Sequence, residues 1–131
     1  MKKSLTALAV AGAAAASLIA VAPTASASGC VNSTITTGYQ GPGTVAYKAA
    51  AGCLDLNLTY AHNNHGWGHD RYEGFYKDAN GFWHNGTAGY QYVDDGYYNA
   101  GDIVLVSNLT SGRAFSVGSE LFGGNTVVIT H

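Results

Sequence analysis

The chain has 131 residues, of which 11% are charged, and its formal net charge at pH 7 is −2. Two of the six basic residues are Lys2 and Lys3, so residues 28–131 carry four basic and eight acidic side chains, a net charge of −4. This length allows one small domain, and this charge excludes nucleic acid and anionic membrane surfaces as expected partners.

The N-terminus has the three parts of a secretory signal peptide. Two lysines form a basic start, residues 5–22 are apolar and uncharged, and residues 25–27 supply the small side chains that a signal peptidase requires. The apolar run has no basic flank after it, as a stop-transfer helix would have. We therefore predict a signal peptide over residues 1–27 and a single secreted, extracellular domain over residues 28–131.

The chain contains two cysteines, Cys30 and Cys53, and both follow the signal peptide. An even cysteine count in a small exported domain predicts a disulfide between them. Residues 27–30 also look like a degenerate lipobox, in which Cys30 would be acylated and would anchor the protein to a membrane. Acylation would leave Cys53 as an unpaired thiol in an oxidising compartment, so the sequence favours the disulfide.

After residue 28 the apolar residues alternate with period two in short runs separated by Gly, Asn and Asp. This pattern predicts strands and no helix. The fold class is therefore all-β, an antiparallel sandwich of about seven or eight strands, with a small β-barrel as the alternative. The predicted strands are residues 31–37, 44–49, 53–60, 71–78, 81–83, 89–93, 103–106, 113–117 and 126–130.

Three of these segments lead to specific expectations. In residues 53–60 the alternation places Leu54, Leu56, Leu58 and Tyr60 on one face of a half-buried strand. Residues 103–106 are almost all apolar, which predicts a central strand covered on both faces. The Asn-Gly pair at residues 80–81 predicts a hairpin turn.

A histidine-rich segment lies between two predicted strands. His62, His65, His69 and Asp70 fall within nine residues, and imidazole and carboxylate groups are ligands for Zn²⁺, Cu²⁺ or Ni²⁺. No helix spaces the histidines by one turn, so the sequence favours a polar surface loop, and no cofactor is expected. Any metal would bind with micromolar or weaker affinity, because an unscaffolded loop must be ordered on binding.

Aromatic residues are dense between residues 67 and 98. Tyr and Trp side chains with polar tips are common in protein interfaces and in carbohydrate sites, although many such rings serve the core. Trp67 lies in the histidine segment, and Tyr97 and Tyr98 lie between two turns. We take these three residues as the candidate contacts for a partner or ligand.

Motifs for catalysis are missing from the sequence: it has no Gly-x-Ser-x-Gly elbow and no phosphate-binding glycine loop. In composition the chain resembles the small exported β-proteins of Gram-positive bacteria, which include protease inhibitors and small components of secreted antibacterial toxins. This likeness assigns no residue a role.

The sequence thus predicts a non-enzymatic secreted binding protein, such as an inhibitor or an accessory subunit of a secreted assembly. Its partner would be another protein, bound in part by addition of a strand to a sheet edge. Residues 31–37 and 126–131 are the candidate edges. The alternatives are a carbohydrate-binding or metal-binding module and, behind these, an exported hydrolase.

Overall fold

The computed structural model describes residues 29–50 and 53–131, and the predicted signal peptide lies outside them. The described residues form eleven β-strands, and none of their segments is a helix that could span a bilayer. The strands are β1 Asn32–Thr36, β2 Gly38–Tyr39, β3 Ala46–Tyr47, β4 Leu56–His62, β5 His69–Lys77, β6 Trp83–Asn85, β7 Gln91–Asp94, β8 Gly96–Tyr97, β9 Val104–Val106, β10 Ala114–Ser119 and β11 Thr126–Thr130.

The strands form two sheets in a sandwich, and they do not close into a barrel. The first sheet has the order β1-β11-β4-β8, with β9 also paired to β4. The second has the order β2-β10-β5-β6, with β3 paired to β10 and β7 paired to β5. Every pairing is antiparallel except that between β2 and β10. The all-β sandwich is therefore confirmed, and eight of the strands have three or more residues.

The core lies between the two sheets and is built by alternate residues of their strands. Burying each Val, Leu, Ile or Phe side chain of this core contributes about 1.5 to 3 kcal/mol of transfer free energy. The fully buried apolar residues of this cluster are Ile35, Leu56, Leu58, Ala61, Tyr72, Leu105, Phe115, Val117, Val127 and Ile129.

The predicted alternation is wrong for the second half of β4, because the strand contains a β-bulge. Leu58 pairs with Ile129 and Tyr60 pairs with Val128, so Thr59 is an extra residue in β4. Beyond this point the side chains change faces, as a bulge requires. Tyr60 therefore leaves the core face, and Ala61 takes its place in the core.

Leu54 is a second departure from the predicted face. It precedes the first residue of β4 and its side chain is exposed, whereas Leu56 and Leu58 are buried as predicted. Strand pairing begins at Leu56, opposite Val106 of β9. The alternation of apolar and polar residues therefore begins before β4 does.

The segment over residues 103–106 is buried but is not a central strand. Among the described residues β9 pairs with β4 alone, and its side chains are covered by the facing sheet. A Cβ atom at Gly74 would lie 2.8 Å from Val106 Cγ2 and 2.9 Å from Leu105 Cβ. Glycine in β5 thus permits the close approach that buries β9.

The two candidate edges have different outcomes. β11 lies between β1 and β4, so residues 126–131 are not an edge, and that prediction was wrong. β1 is an edge of the first sheet, as predicted. Val31 exchanges both backbone bonds with His131, so by antiparallel alternation Asn32 and Thr34 direct their N–H and C=O groups away from β11.

The predicted hairpin joins β5 to β6. Its turn uses a positive φ only at Gly81, while Asp78 Oδ1 accepts the N–H groups of Asn80 and Phe82. His84 Nε2 lies 2.7 Å from Asp78 Oδ2, and this hydrogen bond is the main reason that the pKa of Asp78 falls to about 2. Asn80 thus has a negative φ, whereas a two-residue Asn-Gly hairpin turn would have a positive φ at both residues.

The predicted disulfide joins Cys30 to Cys53. Because β1 and β4 both run antiparallel to β11, the bond spans the C-terminal end of β11 and ties the two strands on either side of it. Lys48 is buried beside it and donates its Nζ protons to the carbonyl oxygens of Ala49 and Cys53.

His131 closes the same end of the sandwich. The Ala49 N–H donates to its Nδ1 at 3.0 Å, so the proton of the neutral ring is on Nε2, 2.8 Å from Ser33 Oγ. The ring also packs edge-on against Phe115. Burial first, and then the charge of Lys48, lower the pKa of His131 to about 4.

We expect reduction of the disulfide, or replacement of both cysteines by serine, to lower the free energy of unfolding. The cross-link has a sequence separation of 23, and closing a loop of this length removes roughly 3 to 4 kcal/mol of chain entropy from the unfolded state. Urea denaturation with and without reductant measures the difference. Two alkylated cysteines without reductant, or a lipid-sized mass increment on Cys30, would contradict the expectation.

Acid should remove the stabilising contribution of His131. The unfolded protein takes up a proton near pH 6.5 and the folded protein only near pH 4, so the contribution is complete above pH 6.5 and is lost as the pH falls to about 4. The loss amounts to about 3 kcal/mol. Unfolding free energies from pH 8 to pH 3.5 should fall more steeply for the wild type than for His131→Asn. Parallel curves would show that His131 is not responsible.

Candidate functional site

Three connections meet at the end of the sandwich opposite the disulfide. Residues 63–68 join β4 to β5, residues 120–125 join β10 to β11, and Asp95 separates β7 from β8. The backbone N–H of Asp95 donates to Gly68 O at 2.8 Å. This end of the molecule contains most of the residues predicted to have a functional role.

A buried carboxylate fixes the second of these connections. Asp70 Oδ1 accepts the backbone N–H groups of Arg71 and Leu121, at 2.7 and 2.9 Å. Its Oδ2 accepts the N–H of Phe122 at 3.1 Å and the side-chain amide of Asn125 at 2.8 Å. Asp70 is fully buried, so these four donors replace the water that a carboxylate would otherwise bind.

A buried amide fixes the first connection. The Asn63 N–H donates to Asp95 Oδ1 at 2.8 Å, and its side-chain NH₂ donates to His69 O at 2.8 Å. Its side-chain oxygen accepts the His65 N–H at 2.7 Å. The histidine segment therefore has a fixed backbone, which differs from the unscaffolded loop expected from the sequence.

Asn64 ties the two connections together. Its backbone N–H donates to Asn125 Oδ1 at 3.0 Å. Its side-chain amide donates to Gly124 O at 2.8 Å and to Thr126 Oγ1 at 2.9 Å. Residues 63–68 and 120–125 therefore form one hydrogen-bonded unit.

Five rings lie in contact on this unit and its neighbouring strands, and we call them the aromatic row. Trp67 has a central position, with ring centroids 5.3 Å from Phe122 and 6.3 Å from His69. His65 stacks on Phe122 at 4.7 Å, and His69 stacks on Tyr92 at 5.0 Å. Trp67 and Tyr92 are each 58% exposed, so the row presents an apolar surface to solvent.

A second aromatic contact lies on the outer face of the first sheet. The Tyr60 and Tyr97 rings are 4.7 Å apart between centroids, and Tyr97 is 65% exposed. The pair exists because the bulge at Thr59 turns Tyr60 to the outer face, where it is opposite Tyr97 of β8. We call these two residues the tyrosine pair.

The three candidate contacts predicted from the sequence have different environments. Trp67 and Tyr97 are exposed, whereas Tyr98 packs partly against the core. The Tyr98 hydroxyl donates to Asp94 O at 2.6 Å. Sequence reasoning did not select Tyr60, because its position depends on a bulge, or Phe122, which an aromatic-density argument overlooks because it lies outside residues 67–98.

The four candidate metal ligands have separate partners. His62 Nδ1 lies 3.0 Å from Asp95 Oδ2, at the edge of the tyrosine pair. The other two imidazoles bond to backbone oxygens, His65 to Gly123 at 2.9 Å and His69 to Trp67 at 3.1 Å. Within residues 29–50 and 53–131, no three His, Cys, Asp or Glu side chains form a group that could hold a metal ion.

Burial and two nearby carboxylates raise the pKa values of three tyrosines at this end of the molecule. The Tyr92 hydroxyl donates to Asp94 Oδ1 at 3.0 Å, and this bond is the main cause of its raised pKa. Burial, then Tyr97, then Asp95 raise the pKa of Tyr60. Burial, then Asp94, then Asp95 raise that of Tyr98.

Comparison with known proteins gives no assignment for this arrangement. No protein-family model matches the chain, and neither a curated protein nor a solved structure does. What the arrangement offers chemically is a set of exposed rings and two carboxylates on a backbone fixed by buried hydrogen bonds.

Replacing Asp70 by asparagine should loosen this end of the molecule. The new NH₂ group would face N–H donors where Oδ2 now accepts them, which leaves buried donors without an acceptor. We expect a loss of about 3 kcal/mol in the free energy of unfolding, which is the upper end of the range for hydrogen bonds to a charged group. Thermal or urea unfolding measures it, and the exposed Asp102→Asn is the matched control. Equal stability of the two variants would contradict the role given to Asp70.

Proposed function

We propose that this chain is a non-enzymatic binding module that recognises another protein through the aromatic row and the tyrosine pair. The observation that carries the proposal is the exposure of Trp67, Tyr92 and Tyr97 on a backbone held by the buried groups of Asp70 and Asn63. Exposed Trp and Tyr side chains are the residues that most often dominate binding free energy at protein interfaces.

Rigidity supports this proposal. Binding by a mobile loop loses side-chain and backbone entropy when the complex forms, and a surface that is already ordered avoids much of that loss. The connections over residues 63–68 and 120–125 are bonded to each other and to Asp70. A partner would therefore meet the rings in the positions that they already hold.

Stacking within the aromatic row reduces the number of ring faces that a glycan could use. Sugars stack on free aromatic faces, but within the row His65 lies against Phe122 with planes 24° apart, and His69 lies against Tyr92 with planes 26° apart. These contacts cover one face of each ring. Side chains of a protein can pack between such rings from the side.

The free edge of β1 offers a second contact. Asn32 and Thr34 direct backbone groups outward, whereas the outward groups of Thr36 are covered by Thr44, whose N–H donates to Thr36 O at 2.9 Å. The residues of β1 carry no charge and no proline, which are the usual protections of an edge. An extended segment of the partner could pair there by strand addition.

Export is part of the proposal. The predicted signal peptide supports secretion, and the disulfide is compatible with an extracellular protein. The surface would then meet its partner outside the cell, where the proposed roles are inhibitor or accessory subunit of a secreted assembly.

The proposal predicts which rings a partner needs. Tagged residues 28–131 should capture a stoichiometric protein from the culture medium of the source organism, identified by mass spectrometry. Trp67→Ala and Tyr97→Ala should each weaken binding by about 2 kcal/mol or more without lowering the melting temperature, as exposed anchors do. Tyr98→Ala and Leu56→Ala should lose binding only as they lose stability, because those side chains pack in or against the core.

Two further variants complete the assay. Phe82→Ala is the matched control, since this ring is 69% exposed at the tip of the β5–β6 hairpin and should be dispensable. Thr34→Pro removes an N–H that points away from β11 and so tests the β1 edge with the ladder intact. Normal capture by Trp67→Ala, Tyr97→Ala and Thr34→Pro together would refute the proposal, as would losses that follow melting temperature alone.

A further inference from the structure

The chain contains two Asn-Gly pairs, at residues 80–81 and 85–86, and they lie in different surroundings. In an Asn-Gly pair the glycine nitrogen can attack the side-chain amide of the asparagine, because glycine has no Cβ atom to obstruct the approach. The reaction needs an asparagine side chain that can turn and a backbone that can adjust. The surroundings therefore decide which of the two pairs reacts.

The first pair lies open to solvent at the tip of the hairpin between β5 and β6. Asn80 and Gly81 are exposed, and no atom lies within 4 Å of the position that a Cβ atom on Gly81 would take. The Gly81 N–H donates to Asp78 O at 3.1 Å, in a turn where water competes for the same groups. Within residues 29–50 and 53–131, the Asn80 side chain has no hydrogen-bond partner, so it is free to turn towards the Gly81 nitrogen.

The second pair is held by its neighbours. The Asn85 side-chain NH₂ donates to Oε2 of the buried Glu73 at 3.1 Å, and the Gly86 N–H donates to Gly74 O at 2.7 Å. Gly86 is buried, and a Cβ atom there would overlap the carbonyl oxygen of Leu105. Attack at this pair would therefore require the end of β6 to separate from β5 and β9.

We propose that Asn80 is a site of spontaneous deamidation in the folded protein and that the fold protects Asn85. The Gly81 nitrogen loses its proton to hydroxide and bonds to Cγ of Asn80, which closes a succinimide ring. The bond from Cγ to the side-chain nitrogen breaks, and that nitrogen takes a proton from water and leaves as ammonia, which restores the hydroxide. A second water opens the ring at either carbonyl and gives aspartate or isoaspartate.

The product differs from the original turn in charge and in chain length. Either product places a second carboxylate near that of Asp78, and isoaspartate also adds a methylene group to the main chain between residues 80 and 81. Both changes oppose the hydrogen bonds that Asp78 Oδ1 accepts from the Asn80 and Phe82 N–H groups. The nine residues of β5 separate this turn from Trp67 by about 25 Å, so the inference does not depend on the proposed function.

The test is prolonged incubation of folded residues 28–131 at mildly alkaline pH. Anion-exchange chromatography should resolve a growing acidic fraction, and peptide mapping by mass spectrometry should place the change at Asn80. We expect the rate at Asn80 to exceed that at Asn85 by about tenfold or more, because Asn85 reacts only in locally opened molecules. The rate should rise with pH, since the attacking nitrogen must lose its proton.

Variants and an unfolded sample provide the controls. Asn80→Ser should remove the acidic fraction, whereas Asn99→Ser, which replaces an exposed asparagine followed by alanine, should leave it unchanged. In concentrated urea with reductant, both pairs should react at similar rates, because the packing around Gly86 is then lost.

Three results would overturn the inference. The first is a rate at Asn80 in the folded protein that does not exceed the rate at Asn85. The second is a folded protein in which Asn80 stays intact while the unfolded chain reacts there. The third is an Asn85 that remains unreactive in urea, since its protection would then not come from the fold.

Discussion

The buried carboxylate of Asp70 is the group on which the order of the end opposite the disulfide depends. Asp70 belongs to β5 of the second sheet. Its carboxylate oxygens accept backbone N–H groups from the connection between β10 and β11, which crosses from the second sheet to the first. Placing a charge in the interior is costly, and it is offset here because four donors converge on two oxygens. The same hydrogen bonds position Phe122 against Trp67. The buried carboxylate therefore also fixes part of the exposed aromatic row.

The bulge at Thr59 has a comparable double role. One extra residue in β4 keeps Ala61 in the core while it moves Tyr60 to the outer face. Without the shift, Tyr60 would compete for core space and Tyr97 would have no ring beside it. Bulges often lie next to functional residues because they redirect a side chain without changing the fold.

Local pattern was sufficient for much of the fold. The segment over residues 126–130, after the Gly-Gly pair at residues 123–124, was predicted as a strand with the ends that β11 has, the two cysteines predicted the disulfide, and Asn-Gly predicted the hairpin. The wrong prediction for residues 126–131 concerns a relation between distant segments: β11 is central because β1 and β4 flank it, and a strand's neighbours are not encoded in its own alternation. Among the site residues, the exposure of Trp67 and Tyr97 followed from their positions in a loop and between turns. The position of Phe122 depends on its hydrogen bond to Asp70, and that of Tyr60 on the bulge in β4. Neither can be read from the local sequence.

The disulfide also determines how the molecule bears a mechanical load. Cys30 precedes β1 and Cys53 precedes β4, and the ring that they close includes β1 of the first sheet and β2 and β3 of the second. A strand at an edge is normally the first to peel when tension acts on it, one backbone bond at a time. Here a pull on the chain before Cys30 is passed through the sulfur atoms to the start of β4, next to β11 in the sheet. Peeling of β1 from this end therefore also loads β4, which pairs with β11, β8 and β9, so the edge strand does not bear the tension alone.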